Sequence, residues 1–348
     1  DYTEQEYECS TASVTFNPGG GTSGEDAFSL SGTGGACGCP FIGTNDGGVD
    51  FDIVELTSTT LRLHTYTDNP SCQQTSGYFS YILTRIDDST GGTNGDGYEG
   101  ADSYPGMTLV WSDEFDGTSI NFSNWTYDLG NNGWGNNEWQ NYTSSPSNSS
   151  VADGFLTITA RQEGGGYTSA RMKSVDLQEF QFGRIDIRAK LPEGQGIWPA
   201  LWMLGANFPE GGWPQCGEID IMEYVGEKDW VGVALHGPGY SGETPLVNKF
   251  YFPEGEDVTG WHVYAVEWKK NEILFQIDGR TLYRVTRPMV ENYGKWAFDN
   301  PKYLILNFAM GGAYPFKTNG IEKPYNGVPQ STVDKVKLGE VAMLVDWV

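Results

Sequence analysis

The sequence predicts an all-β protein whose main domain is a two-sheet sandwich, and three observations lead to this fold class. Gly accounts for 47 of the 348 residues, aromatic side chains for 14% and hydrophobic ones for only 38%, a composition typical of loop-rich β proteins. Short runs of alternating polar and apolar residues recur between turn residues. No stretch predicts a helix longer than two turns. The length allows one large domain or two of ordinary size.

Charge and hydropathy restrict the class of partner. The net charge of −25 disfavours nucleic acid and anionic membranes and favours a neutral glycan over a sulfated one, although it equally fits adaptation to salt. The sequence contains no run of about 18 apolar residues, so it predicts no membrane span. No signal peptide is recognisable, but a mature or trimmed chain could begin at Asp1. We therefore expect a monomeric protein that is secreted, cell-surface or periplasmic.

The first 88 residues form a predicted small β-rich accessory domain. Residues 49–56 and 60–66 alternate well enough to predict a hairpin, and residues 14–16 and 78–86 are further candidate strands. Residues 1–104 hold 16 acidic residues, 2 basic residues and no Trp, so more than half of the net charge lies there. Glycan binding through Tyr residues and a spacer or structural role are both open interpretations of this domain.

Four of the five cysteines lie in this segment and predict one or two disulfides, with Cys9, Cys37, Cys39 and Cys72 as the candidates. Disulfides suit a small domain in a secreted or periplasmic setting. A metal site is the alternative, but two cysteines separated by one residue do not match the usual zinc spacing. Cys216 stands alone, and we interpret it as a buried free thiol.

A Gly/Asp-rich linker is predicted over residues 89–104, followed by the main domain at residues 105–348. The main domain is dense in strand-like runs, for example at residues 155–160, 183–190, 262–268 and 273–279. Turn signals recur between these runs. This spacing is the pattern of a two-sheet sandwich.

Residues 217–226 carry the strongest chemical signal in the chain. Glu218 and Asp220 share one face of a predicted strand, while the intervening isoleucines point to the opposite face. Strict alternation would send Glu223 to the wrong face, so we predict a β-bulge near residues 221–222. Three acids on one face repel each other, which disfavours a structural role. Paired carboxyl groups cleave glycosidic bonds as nucleophile and proton donor; a strand of solvent-facing acids is the alternative.

The motif Glu-x-Asp-x-x-Glu within residues 213–225 closely resembles the active-site strand of glycoside hydrolase family 16. Its extra residue is typical of the laminarinases of that family, which are endo-β-1,3-glucanases. The resemblance covers the whole main domain and implies a β-jelly roll whose concave sheet carries a glycan cleft. Other segments match in the family's order, at residues 111–117, 137–143, 167–174, 196–204, 236–238, 307–312 and 343–348.

The resemblance implies that Glu218 is the nucleophile and Glu223 the acid/base of a retaining double displacement. This mechanism places the two carboxyl groups about 5 Å apart and needs no cofactor. Asp220 lies between them in the sequence. It can hydrogen-bond Glu218 in one protonation state and raise the proton affinity of Glu223, which would separate the two pKa values.

A β-glucan has apolar ring faces and polar rims, so aromatic platforms and hydrogen-bonding side chains should line its cleft. By resemblance Trp198, Trp202 and Trp213 flank the negative subsites, although each could instead fill the core. The remaining candidates for substrate contact are Asn137, Glu138, Arg171, His236, Trp134 and Tyr314. Arg171 could equally be a surface salt-bridge partner, and a lone His is often structural.

Glu114, Gly154 and Asp346 match positions that bind a structural calcium ion on the convex face of many family members. Side-chain and backbone oxygens suit this hard cation. An acidic turn that holds no ion is the alternative.

The leading hypothesis is a secreted endo-β-1,3-glucanase that acts on laminarin-like glucans. The alternatives are a mixed-linkage β-1,3(1,4)-glucanase, a galactan hydrolase of the same fold, and a glucan-recognition protein that does not cut. Recognition proteins of this kind have usually lost one catalytic acid, whereas Glu218 and Glu223 are both present.

Overall fold

The computed structural model describes residues 98–101 and 103–348, together with the backbone of five strands nearer the N-terminus. The chain divides into two compact units, residues 1–88 and residues 89–348.

In the first unit, β1 (Ala12–Asn17) pairs antiparallel with β2 (Ala27–Gly32). A second antiparallel sheet has the order β3 (Asp52–Leu56), β4 (Thr60–Thr67) and β5 (Gly77–Thr84). The predicted hairpin is confirmed, because β3 and β4 are antiparallel neighbours. The four cysteines predicted to form disulfides lie outside the described residues, so their pairing stays a prediction.

The second unit is a sandwich of two large antiparallel sheets, as the sequence predicts. Its first strands are β6 (Thr126–Tyr127), β7 (Asn141–Tyr142), β8 (Ser149–Ala152), β9 (Phe155–Thr159), β10 (Arg161–Glu163), β11 (Gly166–Ser169), β12 (Arg171–Lys173), β13 (Glu179–Phe180), β14 (Gly183–Lys190) and β15 (Ile197–Gly205). They are followed by β16 (Glu218–Glu223), β17 (Trp230–His236), β18 (Leu246–Tyr251), β19 (His262–Lys269), β20 (Glu272–Ile277), β21 (Arg280–Thr286), β22 (Lys302–Met310) and β23 (Ala342–Trp347).

One sheet has eight strands in the order β18-β17-β16-β15-β22-β12-β6, with β13 also paired to β22. The other has seven strands in the order β21-β20-β19-β14-β23-β9-β8. A small three-stranded sheet, β10-β11-β7, lies beside them. The eight-stranded sheet carries β16, so we refer to it as the catalytic sheet.

A continuous hydrophobic core lies between the two large sheets. From the catalytic sheet it receives Ile219, Ile221 and Leu306, and from the other sheet Trp268 and Phe275, all at most 1% exposed. All nine residues of β22 are buried, which agrees with its place in the middle of the catalytic sheet. A strand that is buried on both faces carries apolar residues without alternation, as residues 303–306 and 308–310 do here.

Among the described residues, four short α-helices lie outside the sheets: α1 (Phe208–Gly211), α2 (Arg287–Glu291), α3 (Ala313–Asn319) and α4 (Gln330–Leu338). The expectation of no helix longer than two turns is wrong for α4, because nine residues make about two and a half turns. Val333 and Val336 form its buried stripe, and Gly339 ends it in the left-handed conformation. Among the described residues no helix is long and apolar enough to cross a membrane.

The end of the predicted linker contacts β14. Arg188 donates a hydrogen bond from Nε to the carbonyl oxygen of Tyr98 at 2.8 Å. The Tyr104 hydroxyl donates to the carboxylate of Asp186. The segment from Tyr98 onward therefore packs on the sheet opposite the catalytic one.

Candidate active site

The catalytic sheet brings the three predicted acids together on β16. Opposite β15, Trp202 faces Asp220 and Leu201 faces Met222, so Ile221 has no partner of its own. The pairing of β16 with β17 shifts at the same place, between Asp220 and Glu223. The predicted β-bulge is therefore present. It returns Glu223 to the face of Glu218, while Ile221 and Met222 enter the core.

Burial dominates the electrostatics of this cluster. The pKa of Glu218 is raised to about 8, first by burial and then by the negative charge of Asp220. The pKa of Glu223 is raised to about 8 by the same two causes. Burial also raises the pKa of Asp220 well above its usual value. Asp220 thus raises the pKa of both glutamates. The predicted separation of the two pKa values stays a prediction.

Each glutamate accepts a hydrogen bond from a different tryptophan. Trp198 Nε1 donates to Glu223 Oε1 at 3.0 Å, and this bond lowers the pKa of Glu223 against the larger effect of burial. Trp213 Nε1 donates to Glu218 Oε2, also at 3.0 Å. An indole N–H can only donate, so both contacts favour the ionised carboxylate. The Trp213 side chain is 43% exposed, which places it at the open side of the site.

His236 on β17 faces the nucleophile side of the cluster. Its Nδ1 accepts a hydrogen bond from the Gly242 amide at 3.2 Å. A neutral ring with Nδ1 as acceptor carries its proton on Nε2, which lies 3.3 Å from Asp220 Oδ2 and 3.6 Å from Glu218 Oε1. Asp220 Oδ2 nevertheless has no partner in hydrogen-bond geometry and is fully buried. Glu218, Asp220 and His236 each offer one atom that could bind a metal ion, and these three atoms lie within 4.8 Å of one another.

Arg171 on β12 stacks between two aromatic rings. Its guanidinium lies 4.8 Å from the ring centre of Trp134 and 4.8 Å from that of Trp202. Its Nε is also 3.0 Å from Asp128 Oδ2. Arg171 is therefore a salt-bridge partner, and it also contacts two predicted cleft residues, Trp134 and Trp202. Asp128 additionally pairs with Lys173 at 2.5 Å.

A chain of buried hydrogen bonds connects Trp202 to Glu138. Trp202 Nε1 donates to Asn307 Oδ1 at 2.7 Å, and Asn307 Nδ2 donates to the Tyr142 hydroxyl at 3.0 Å. This hydroxyl donates to Glu138 Oε2 at 3.1 Å. Glu138 is 8% exposed and also accepts from Gln140 Nε2 at 2.7 Å. These contacts connect Glu138 to Trp202 through the chain of hydrogen bonds. The substrate contact of Glu138 stays a prediction.

Asn137 lies in an exposed turn next to this chain. Its φ of 57° is in the left-handed region, which Asn tolerates better than most residues. Its carbonyl oxygen accepts a hydrogen bond from the Tyr325 hydroxyl at 2.8 Å. Trp134 precedes it in a short 3₁₀ turn, Gly133–Gly135, and donates from Nε1 to the carbonyl of Gly130 at 3.2 Å. Both predicted contacts therefore lie in one loop beside the stacked Arg171.

The predicted calcium ligands lie away from this cluster. Glu114 is exposed, and Gly154 has a φ of 83° in the turn between β8 and β9. Asp346 Oδ2 is 2.5 Å from Arg188 Nη1, so a cation would share this carboxylate with a guanidinium. The oxygens suit calcium but the ion pair competes with it, and the site stays a prediction.

Two residues of the site were not predicted from the sequence. Asn307 and Tyr142 were missed because they are far apart in the sequence, and their side chains meet only when β22 and β7 are placed in the fold. Tyr314, a weak candidate from sequence, packs edge-on against Trp198 with ring centres 5.6 Å apart. Charge and strand pattern alone contain no signal for the tryptophan N–H groups that bind the two glutamates.

Comparison with known proteins gives one family. The model of glycosyl hydrolases family 16 matches residues 136–325. A glucan endo-1,3-beta-glucosidase A1 from Niallia circulans is 38% identical over 238 residues, 60% of this chain and 34% of that protein. A beta-glucanase from Rhodothermus marinus is 41% identical over 233 residues, 63% of this chain and 80% of that protein. The chain thus spans about a third of the first relative and four fifths of the second.

Among solved structures, the laminarinase catalytic domain from Thermotoga maritima MSB8 superimposes with a TM-score of 0.60 at 39% identity. The match covers 69% of this chain and 96% of that one. The solved structure therefore shares the sandwich fold over nearly all of the solved structure's own length.

Proposed function

Because the chain belongs to glycosyl hydrolases family 16, we propose that it is a retaining endo-β-1,3-glucanase of laminarin-type β-glucans. The predicted family is confirmed, and the sandwich agrees with the predicted fold class. One observation carries the proposal of hydrolysis: two glutamates on one bulged strand each accept a tryptophan N–H and share a buried aspartate between them.

The proposed reaction has two displacements at one anomeric carbon. Glu218 attacks this carbon while Glu223 transfers its proton to the glycosidic oxygen, so that the C–O bond breaks and a glycosyl ester forms. Glu223, now a carboxylate, then takes a proton from water, whose oxygen attacks the ester and releases Glu218. The bulge supports these roles because it puts both side chains on one face.

Burial supports proton donation by Glu223. With its pKa raised to about 8, this group still holds its proton at neutral pH. Glu218 must ionise in the same environment. The N–H of Trp213 and the positive end of His236 Nε2–H favour its carboxylate form.

The aromatic side chains support a glycan as the substrate. Trp202 and Trp134 lie on either side of Arg171, and Trp213, which hydrogen-bonds Glu218, is 43% exposed. A pyranose ring packs its apolar face on such rings while its hydroxyl groups bind polar side chains at the rim. The surface beside the acids thus has the two chemical properties that a β-glucan requires.

The decisive experiment measures reducing-sugar release from laminarin and from mixed-linkage glucan. We expect faster cleavage of laminarin, and we expect Glu218→Ser to remove it. The exposed acid Glu210 provides a matched control, because Glu210→Gln changes the same charge outside the site. Faster cleavage of mixed-linkage glucan would assign that specificity instead, and cleavage of agarose alone would assign a galactan. Binding of both glucans without any cleavage would refute hydrolysis and indicate a recognition protein.

We also propose that the protein acts outside the cytoplasm as a monomer with a structural calcium ion. A polysaccharide substrate and an acidic chain with a net charge of −25 support the location. Cell fractionation and light scattering test location and oligomeric state. Activity confined to the cytoplasm, or a stable dimer at micromolar concentration, would contradict these two statements.

A further inference from the structure

Lys302, the first residue of β22, has a completely buried side chain. Its ammonium nitrogen lies 3.0 Å from the carbonyl oxygen of Cys216 and 3.2 Å from those of Gly217 and Ala297. Asn300 Oδ1 is a fourth oxygen at 3.4 Å. An ammonium has three N–H donors, so the three backbone carbonyls can use all of them. A lysine is buried in this way only where its charge is compensated.

Two glycines make room for these oxygen atoms. A Cβ on Gly217 would lie 2.0 Å from the carbonyl oxygen of Ala297 and 2.9 Å from Lys302 Nζ. A Cβ on Gly205 would lie 2.1 Å from the carbonyl oxygen of Cys216. Neither position accepts a side chain without displacing the backbone. The ammonium therefore lies in a cavity whose walls the backbone itself fixes.

Two of the three carbonyl groups bound by Lys302 belong to the turn that precedes β16. Cys216 and Gly217 immediately precede Glu218, and the Gly217 amide donates back to the carbonyl of Pro214 at 3.1 Å. Trp213, which hydrogen-bonds Glu218, lies at the other end of the same turn. The ammonium is thus bound to the backbone that carries both the carboxylate and its N–H donor.

We propose that Lys302 is a positioning residue for the nucleophile: its ammonium group holds the turn before Glu218 and supplies a positive charge that favours the ionised carboxylate. This inference rests on the proposed function, because it assigns a role within the same site. It explains why a charged residue starts a strand that is buried along its whole length up to Met310.

The charges that face Glu218 come from four elements. Asp220 and Glu223, on its own strand, raise its pKa. His236 on β17 and Arg171 on β12 lower it. Lys302 adds a cation from β22, behind the turn that precedes the strand.

Lys302 itself faces few charged groups. Burial lowers its pKa to about 7, while Glu218 and Cys216 act in the opposite direction. Burial raises the pKa of the Cys216 thiol, so this group is neutral below pH 7. The rings of Phe298 and Trp268, at 5.3 and 5.8 Å from Nζ, complete the surroundings and favour the cation. The three carbonyl oxygens, the two rings and the charge of Glu218 thus favour the protonated form of Lys302 against the effect of burial.

The test compares Lys302→Met and Lys302→Gln with the wild type. The Gln variant keeps an N–H donor but loses the charge. The carboxyl ¹³C resonance of Glu218, assigned with Glu218→Gln, gives its pKa directly, and kcat/KM on laminarin gives the acidic limb of the pH profile. We expect both variants to raise the pKa of Glu218 by about one unit. At pH values below the acidic limb, kcat/KM should then fall about tenfold.

Asn300→Ala is the matched control, because Asn300 Nδ2 donates to the same Cys216 carbonyl at 3.0 Å but carries no charge. We expect a lower Tm with an unchanged Glu218 titration. An equal shift in Asn300→Ala, or an unshifted titration in both Lys302 variants, would overturn the proposal. If neither Lys302 variant folds, the wild-type ¹³Cε resonance of Lys302 is followed instead, and its ionisation must produce a second inflection in the Glu218 curve. The NMR titration needs no substrate, so inactivity on every glucan would refute the proposed function without deciding the role of Lys302.

Discussion

The hydrogen bond between Trp198 and Glu223 allows a sharp test of the acid/base assignment. Trp198→Phe removes the N–H that donates to Glu223 Oε1 at 3.0 Å and keeps an aromatic ring against Tyr314. This N–H stabilises only the carboxylate form, so its loss makes Glu223 a weaker acid. The basic limb of the kcat/KM profile, where the proton donor ionises, should therefore move to higher pH.

The size of the shift follows from the strength of the bond. A hydrogen bond to a charged group contributes roughly 1.5–3 kcal/mol, and about 1.4 kcal/mol corresponds to one pKa unit. Water that enters beside the smaller ring replaces part of this interaction. We expect the basic limb to rise by about one unit in Trp198→Phe.

Trp213→Phe is the matched variant, because it removes the N–H on Glu218 instead. The acidic limb should rise, and by less, because Trp213 is 43% exposed and water can replace its donor. The assay is kcat/KM on laminarin between pH 4 and 10 for both variants. The three acids are coupled, so each limb belongs to the cluster, and the contrast between the two variants makes the assignment. A shift of the acidic limb in Trp198→Phe, with the basic limb unchanged, would refute the roles given to the two glutamates.

Three further predictions concern stability. Tyr142→Phe should lower the free energy of unfolding by about 1–3 kcal/mol in urea, because Asn307 Nδ2 loses its buried acceptor; no change would contradict the buried chain. Burial lowers the pKa of His262, but the hydrogen bond and charge of Asp278 leave it raised overall. Stability from this pair is complete below the unfolded pKa of about 6.5 and falls as the pH rises through the folded value, so Asp278→Asn should cost more at pH 5.5 than at pH 8.5. Calcium should raise Tm in the wild type and not in Asp346→Asn, and equal Tm values in calcium and chelator would exclude the predicted ion.

Much of the fold was predictable because its signals are local. The hairpin of β3 and β4 follows from alternation over short runs. The bulge in β16 follows from one inserted residue between two acids that must share a face, and both neighbouring strands show it. The nine-residue helix α4 was missed because its buried stripe contains only two valines and a threonine.

The connections within the site were not predictable, because they join residues far apart in the chain. Tyr142 and Asn307 are 165 positions apart and meet only because their strands lie in neighbouring sheets. Lys302 looks like an ordinary surface lysine in the sequence. Its burial becomes evident only when β22 is placed at the centre of the catalytic sheet.

The raised pKa values of both glutamates indicate which step each tryptophan assists. Hydrolysis requires Glu218 ionised and Glu223 protonated, yet burial and Asp220 raise both groups to about 8. The N–H of Trp213 favours this productive state, whereas the N–H of Trp198 favours its opposite in the protein without substrate. After proton transfer the situation reverses, because Glu223 becomes an anion beside the glycosyl ester and Trp198 then stabilises it. The two tryptophans thus act on successive steps of the proposed reaction. Removing the N–H of Trp213 should slow formation of the glycosyl ester. Removing the N–H of Trp198 should destabilise the Glu223 anion that precedes hydrolysis of the ester.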